Sequence, residues 1–188
     1  RDAGRLTGEG KSETDINAKL VEAIVALRRQ NADKALAASP ARMQDIAKAF
    51  IDNLTSLQSQ SVDACYGFIS KGETTPVAVS LVQKPEEGAA LHAKLQAVNA
   101  AIAEGRKTPV TRAHPQKSDY DLLASELGTI GWSQADIQLF ADPKALSEAP
   151  REQVCKMVRD WFSAHLAVKD EAAKERLLFE TLRPVVAG

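Results

Sequence analysis

Cys65 and Cys155 stand ninety positions apart, and each falls on the apolar side of a helix predicted from the surrounding spacing. If they meet, a disulfide staples two distant helices and places the chain in an oxidising compartment. The chain-entropy relation gives such a long closed loop a stabilisation of about 4–5 kcal/mol, less any strain in the bond. If they stay apart, they are two small buried hydrophobes. Two cysteines only, both on apolar faces, favour the bridge, so Cys65 and Cys155 are the candidate structural disulfide. A redox-active pair would need a Cys-x-x-Cys arrangement that the chain lacks.

The three histidines are His92, His114 and His165. With the two cysteines they show no ligand spacing, so no metal site and no cofactor are expected. His114 lies in a basic stretch and reads as solvated, while His92 and His165 border apolar helix faces. A Cys155–His165 nucleophile–base pair fails on geometry. Ten residues of one helix separate the two by about 15 Å of rise. No Gly-rich phosphate loop, Gly-x-Ser-x-Gly, His-Glu-x-x-His or EF-hand pattern is present, so no catalytic residue is assigned and an enzyme is not the expectation. The triplet Asn53-Leu54-Thr55 matches the glycosylation pattern but sits inside a helical stripe, where it reads as chance.

Arg106, Lys107, Arg112 and Lys117 cluster in the stretch 105–117 (GRKTPVTRAHPQK), which holds two prolines and no acid. As a solvated loop it is the candidate surface for an acidic partner, a lipid headgroup or a phosphate-bearing ligand, and the candidate break between two helical subdomains. It lacks the length and interleaved aromatics of a nucleic-acid site. A net charge of −1 and 5% aromatic residues also argue against a nucleic-acid partner.

The elements that must position these residues are helices. Residues 1–13, polar and rich in glycine, read as a disordered lead or linker, and 14–188 as the helical domain. Ile16, Leu20, Ala23, Ile24 and Leu27 mark the buried face of a first helix running to about Ala38. Ser39-Pro40 opens a second. Its stripe of Met43, Ala47, Phe50, Leu54, Leu57, Ser61, Cys65 and Phe68 predicts one helix to about Ser70. Gly67, inside that stripe, suggests a kink or a close approach by another helix or a ligand. Val77–Val82 fits a strand or, better, a short buried helix, since no partner strand is visible. Leu91, Leu95, Val98 and Ile102 form the buried face of the next helix, with Gly105 as its stop. Short helices follow from Ser118 and Ser133, a longer one from Pro150 carries Cys155, Val158, Phe162 and Leu166, and a last one runs from Asp170.

The expected fold is therefore all-α, an irregular bundle of about six to eight helices. Alanine, the commonest residue with 31 copies, agrees with close helix packing. Charge-free runs such as Thr74 to Gln83 reach only ten residues, against about twenty for a membrane helix. The chain opens on Arg1, so a signal peptide or an anchor upstream is compatible with it.

The function these features favour is a non-catalytic, extracytoplasmic helical domain of a secreted or membrane-anchored bacterial protein, acting through protein–protein contacts. The bacterial source rests on the alanine-rich composition. One alternative is a small-molecule or lipid binder with a pocket between helices, lined by Phe50, Leu54, Phe68, Trp161 and Phe162. Two unbridged thiols would instead suit a cytoplasmic helical adaptor.

Overall fold

Small polar caps set most helix boundaries. In the computed structural model, which describes residues 12–188, the Ser12 hydroxyl accepts the Asp15 N–H, and the Asp15 carboxylate accepts the Ser12 N–H. This reciprocal pair starts α1 (Glu13–Arg29), so the expected lead falls outside the described residues except at Ser12 and Glu13. Asn31 donates its side-chain amide to the Leu27 carbonyl at the end of α1, and a single-turn α2 (Ala32–Ala35) follows. The first helix, expected to reach Ala38, is therefore two elements.

Ser39 and Pro40 open α3 (Pro40–Gln60). The stripe expected to continue unbroken to Ser70 is interrupted at Ser61, whose backbone is extended with φ −166° and ψ 154°. Its hydroxyl accepts the Ala64 N–H and starts α4 (Val62–Lys71). Serine competes with the helical ladder through this local bond, so it turns the chain where an apolar residue would not. The buried face survives the turn, since Leu54, Leu57, Cys65 and Phe68 are all in the core.

Gly72 ends α4 at φ 67°, a left-handed conformation that glycine adopts without strain. The 3₁₀ turn that follows (Gly72–Thr74) delivers Glu73 into the interior. Val77–Val82 is helical, within α5 (Pro76–Val82). The chain continues through α6 (Ala89–Lys107), α7 (Lys117–Thr129), α8 (Gln134–Ala141), α9 (Pro143–Glu148), α10 (Arg151–Ala167), α11 (Glu171–Thr181) and α12 (Arg183–Ala187). The described residues contain no strand, and nine of the twelve helices have seven or more residues. The fold is the expected all-α multi-helix bundle, with more and shorter helices than the stripes alone indicate. None of these helices is long and apolar enough to cross a membrane.

Two apolar clusters share α10. Cys155, Val158 and Phe162 belong to the larger one, with Met43, Ile46, Leu54 and Val98. Met157 and Ala164 belong to the smaller one, with Leu123, Leu127 and Leu177. Asp119 joins α7 to α11: it accepts the Gln116 N–H at 2.9 Å and Arg176 through Nε and Nη2 at 2.8 and 2.7 Å. Gly105 is not the stop of α6, which runs on to Lys107. A Cβ there would fall on the Lys34 carbonyl, so glycine lets α2 lie directly on α6.

The first helix corrects the expected burial. α1 buries Val21, Val25 and Arg28 and leaves Leu20, Ile24 and Leu27 exposed at 44%, 48% and 61%. Periodicity alone favours the Leu20, Ile24 and Leu27 stripe, whereas the shorter Val21 and Val25 stripe is the one buried. Arg28 shares that buried face and pairs there with the buried Glu73 carboxylate.

Candidate functional site

α4 and α10 cross so that the Cα atoms of Cys65 and Cys155 lie 6.3 Å apart, with the sulfurs at disulfide distance. Both residues are fully buried. At the surface the same helices are joined by Arg151, 2.6 Å from Asp63 and stacked over the Tyr66 ring at 5.2 Å. The crossing is therefore joined twice, at the buried cysteines and at this surface pair.

The basic stretch does not form one patch. The Arg112 side chain is buried, its Nη1 donating to the Leu36 carbonyl at 2.9 Å, its Nη2 to the Ala38 carbonyl, and its Nε 2.7 Å from Glu175. The Val110 N–H donates to the Ala37 carbonyl at 2.8 Å. Residues 108–116 thus strap α2 and α11 together, and Arg112 is spent on the chain itself instead of facing a partner. Arg106 belongs to α6 and donates to Asn31 Oδ1 at 2.5 Å. Lys107 ends α6, exposed. Lys117 opens α7 and pairs with Asp121 at 2.9 Å, one turn on. A fixed loop explains the difference: the carbonyls left open after α2 need donors, and Arg112 supplies two.

His114 is exposed, with Nδ1 3.2 Å from Glu180. His92 is half-buried on α6. His165 is buried, and its Nδ1–H donates to the Trp161 carbonyl at 2.7 Å. Burial pushes its pKa down to about 4 against the opposing pull of that carbonyl, so it is a neutral core residue near pH 7. Asn53 is buried on α3, out of reach of any glycosylating enzyme in the folded chain.

A buried ion cluster went unread in the sequence. Glu73 accepts Lys94 Nζ at 2.6 Å and Arg28 Nη1 at 2.7 Å, and Arg28 Nη2 also contacts the carboxylate. All three residues are 4% exposed or less. Two cations share one carboxylate, which leaves one positive charge in excess when Lys94 is protonated. Burial, and secondarily the Arg28 charge, pushes the Lys94 ammonium down to about 7. Burial likewise lowers Arg28 to about 10. A weak signal existed: Lys94 lies between Leu91 and Val98 on the buried face, and Arg28 continues the step from Val21 and Val25.

Beside this cluster lies a cleft of about 420 Å³, walled by Phe50 of α3, Phe68 of α4, Val158 and Phe162 of α10, Val185 of α12, and Lys94 of α6. Lys94 Nζ sits 5.9 Å from the centre of the Phe68 ring. Phe50 packs on Phe162 at 4.8 Å and on Phe68 at 6.3 Å between ring centres. Three of the five residues expected to line a pocket do so. Leu54 is fully buried beneath them, and Trp161 points toward α11, donating Nε1–H to Thr181 at 2.8 Å. A larger, open groove of about 640 Å³ between α3 and α10 is lined by mixed charges, among them Lys156 and Asp160, which pair with each other at 2.5 Å. The apolar cleft is the better candidate for a ligand.

Comparison with known proteins finds no matching family model, no matching curated protein and no matching solved structure.

Proposed function

We propose that the protein is a non-catalytic, extracytoplasmic helical domain that acts by binding, and that it holds a small molecule with an apolar body in the cleft between α3, α4, α10 and α12. The observation that carries this reading is the wall of three phenylalanines, Phe50, Phe68 and Phe162, around a concave space of ligand size. Apolar atoms facing such a space lack partners on one side, and a ligand supplies them. The cysteine pair at disulfide distance supports an oxidising compartment.

The test is a titration of the isotope-labelled protein with decanol, followed by NMR. The expected result is saturable shifts confined to Phe50, Phe68, Phe162 and their neighbours, lost when Val158→Trp fills the cleft while melting is retained. Shifts spread over the surface, or none, would overturn the reading.

A second reading, contact with another protein, is favoured by α1. Leu20, Ile24 and Leu27 form an exposed apolar stripe, acids occupy its first turn and Arg29 its last. An antiparallel pair of such helices is self-complementary in charge and shape, so the partner this stripe fits is a second copy of the chain. Sedimentation equilibrium should then show a dimer that Ile24→Lys dissociates, and a monomer at all concentrations would remove this reading.

A further inference from the structure

We propose that the ligand of this cleft is a single-chain amphiphile whose anionic head lies against Lys94, with its apolar chain along Phe50, Phe68 and Phe162. The proposal rests on the cleft being a binding site and adds the chemical class of what it takes. The charged side chains that line the cleft have one sign: Arg29 of α1 and Lys71 of α4 stand exposed at the wall and Lys94 closes it from α6, while Gly188 brings only main chain to it after α12. Behind Lys94, Glu73 divides its charge between Lys94 and Arg28, so these three side chains hold more positive than negative charge when Lys94 is protonated. An unbalanced cation in a low-dielectric site is costly, and an arriving anion relieves it. The rest of the wall is apolar, which excludes a fully hydrated ion and favours an amphiphile.

Proton linkage follows from the groups around Lys94. Glu73 faces it from the 3₁₀ turn, Arg28 and Arg29 from α1, and Lys71 from α4, while α10 and α12 present Val158, Phe162 and Val185 and Gly188 follows α12 into the wall. His165, behind Phe162, is neutral above about pH 5. Burial holds Lys94 near 7, so its charge changes across neutrality. An anion beside it raises its pKa, so binding takes up a proton and affinity falls as pH rises through 7, by about tenfold between pH 6 and 8.

The experiment titrates the whole protein with decanoate and, separately, decanol by NMR at pH 6, 7 and 8. Decanoate stays ionised throughout, so any pH effect belongs to the protein. The expected result is decanoate binding in the cleft at least tenfold more tightly than decanol at pH 6, weakening about tenfold by pH 8. Lys94→Met should remove both the preference and the pH dependence. The surface double variant Arg29→Gln/Lys71→Gln, which leaves the interior untouched, should weaken decanoate severalfold and leave decanol unchanged. Equal affinity for the two probes, or a preference that neither variant alters, would overturn the anionic class while the cleft still stands as a small-molecule site. Binding of neither probe would overturn the cleft itself.

Discussion

Cys65 on α4 and Cys155 on α10 are separated by 90 residues in sequence and by 6.3 Å between Cα atoms. A bond here closes nearly half of the chain into one loop and fixes the crossing on which the cleft is built, because Phe68 and Val158 sit one turn beyond the two cysteines. Intact mass after alkylation of unreduced, denatured protein should show no free thiol. Reduction should then cost about 4–5 kcal/mol, lowering the melting temperature by roughly 10–15 °C for a domain of this size. Two alkylated thiols in protein made under oxidising conditions would take away the support for an extracytoplasmic home.

His165 gives stability a pH dependence whose sign is fixed by its burial. Its folded pKa of about 4 lies below the ordinary 6.5, so between those values the unfolded chain binds more protons than the folded one. Stability is therefore greatest above about pH 6.5 and is lost as pH falls toward 4, by about 3 kcal/mol from this residue alone. His165→Leu should flatten that part of the curve, measured as the difference from wild type in urea unfolding at each pH. Equal slopes would show that the imidazole is solvated.

Much of the frame was legible in the sequence because caps and stripes are local. Ser39-Pro40 and Ser133 each start the helix their chemistry predicts. The cleft was partly legible for the same reason, since Phe50 and Phe68 lie on one stripe. What was lost depends on tertiary partners. Glu73 reads as a polar turn residue until Arg28 and Lys94 come from two other helices, and Arg112 reads as solvated until the open end of α2 is beside it. Gly105 reads as a helix stop because a chain passing over it leaves no trace in local spacing.

The face that α1 turns inward separates two neighbouring residues. Ile24 is 48% exposed and Val25 is 4% exposed. Ile24→Ala should change stability by less than about 0.5 kcal/mol, and Val25→Ala should cost about 2 kcal/mol through lost burial and the space left behind. Chemical denaturation of both variants reads the difference. The opposite order would mean that α1 packs through Leu20, Ile24 and Leu27, as its periodicity alone suggests.

Two helical glycines divide in the same way by what stands over them. A Cβ on Gly67 would meet only Thr75 Cγ2 at 3.8 Å, an ordinary contact, so neither a close helix nor a ligand requires glycine there. Gly67→Ala should stabilise the protein by about 1 kcal/mol, the difference in helix propensity. At Gly105 the added carbon would strike the Lys34 carbonyl, with the Ala37 carbonyl carbon next at 3.2 Å. Backbone cannot swing aside as a flexible side chain can, so α2 must lift from α6, and with it the Leu36 and Ala38 carbonyls that Arg112 holds. Gly105→Ala should therefore cost about 1–3 kcal/mol despite its better propensity. Amide exchange should quicken in 32–38 and 108–116 together, because the strap is anchored on the element that moves. Quickening confined to α6 would show that α2 and the strap are held independently of this contact.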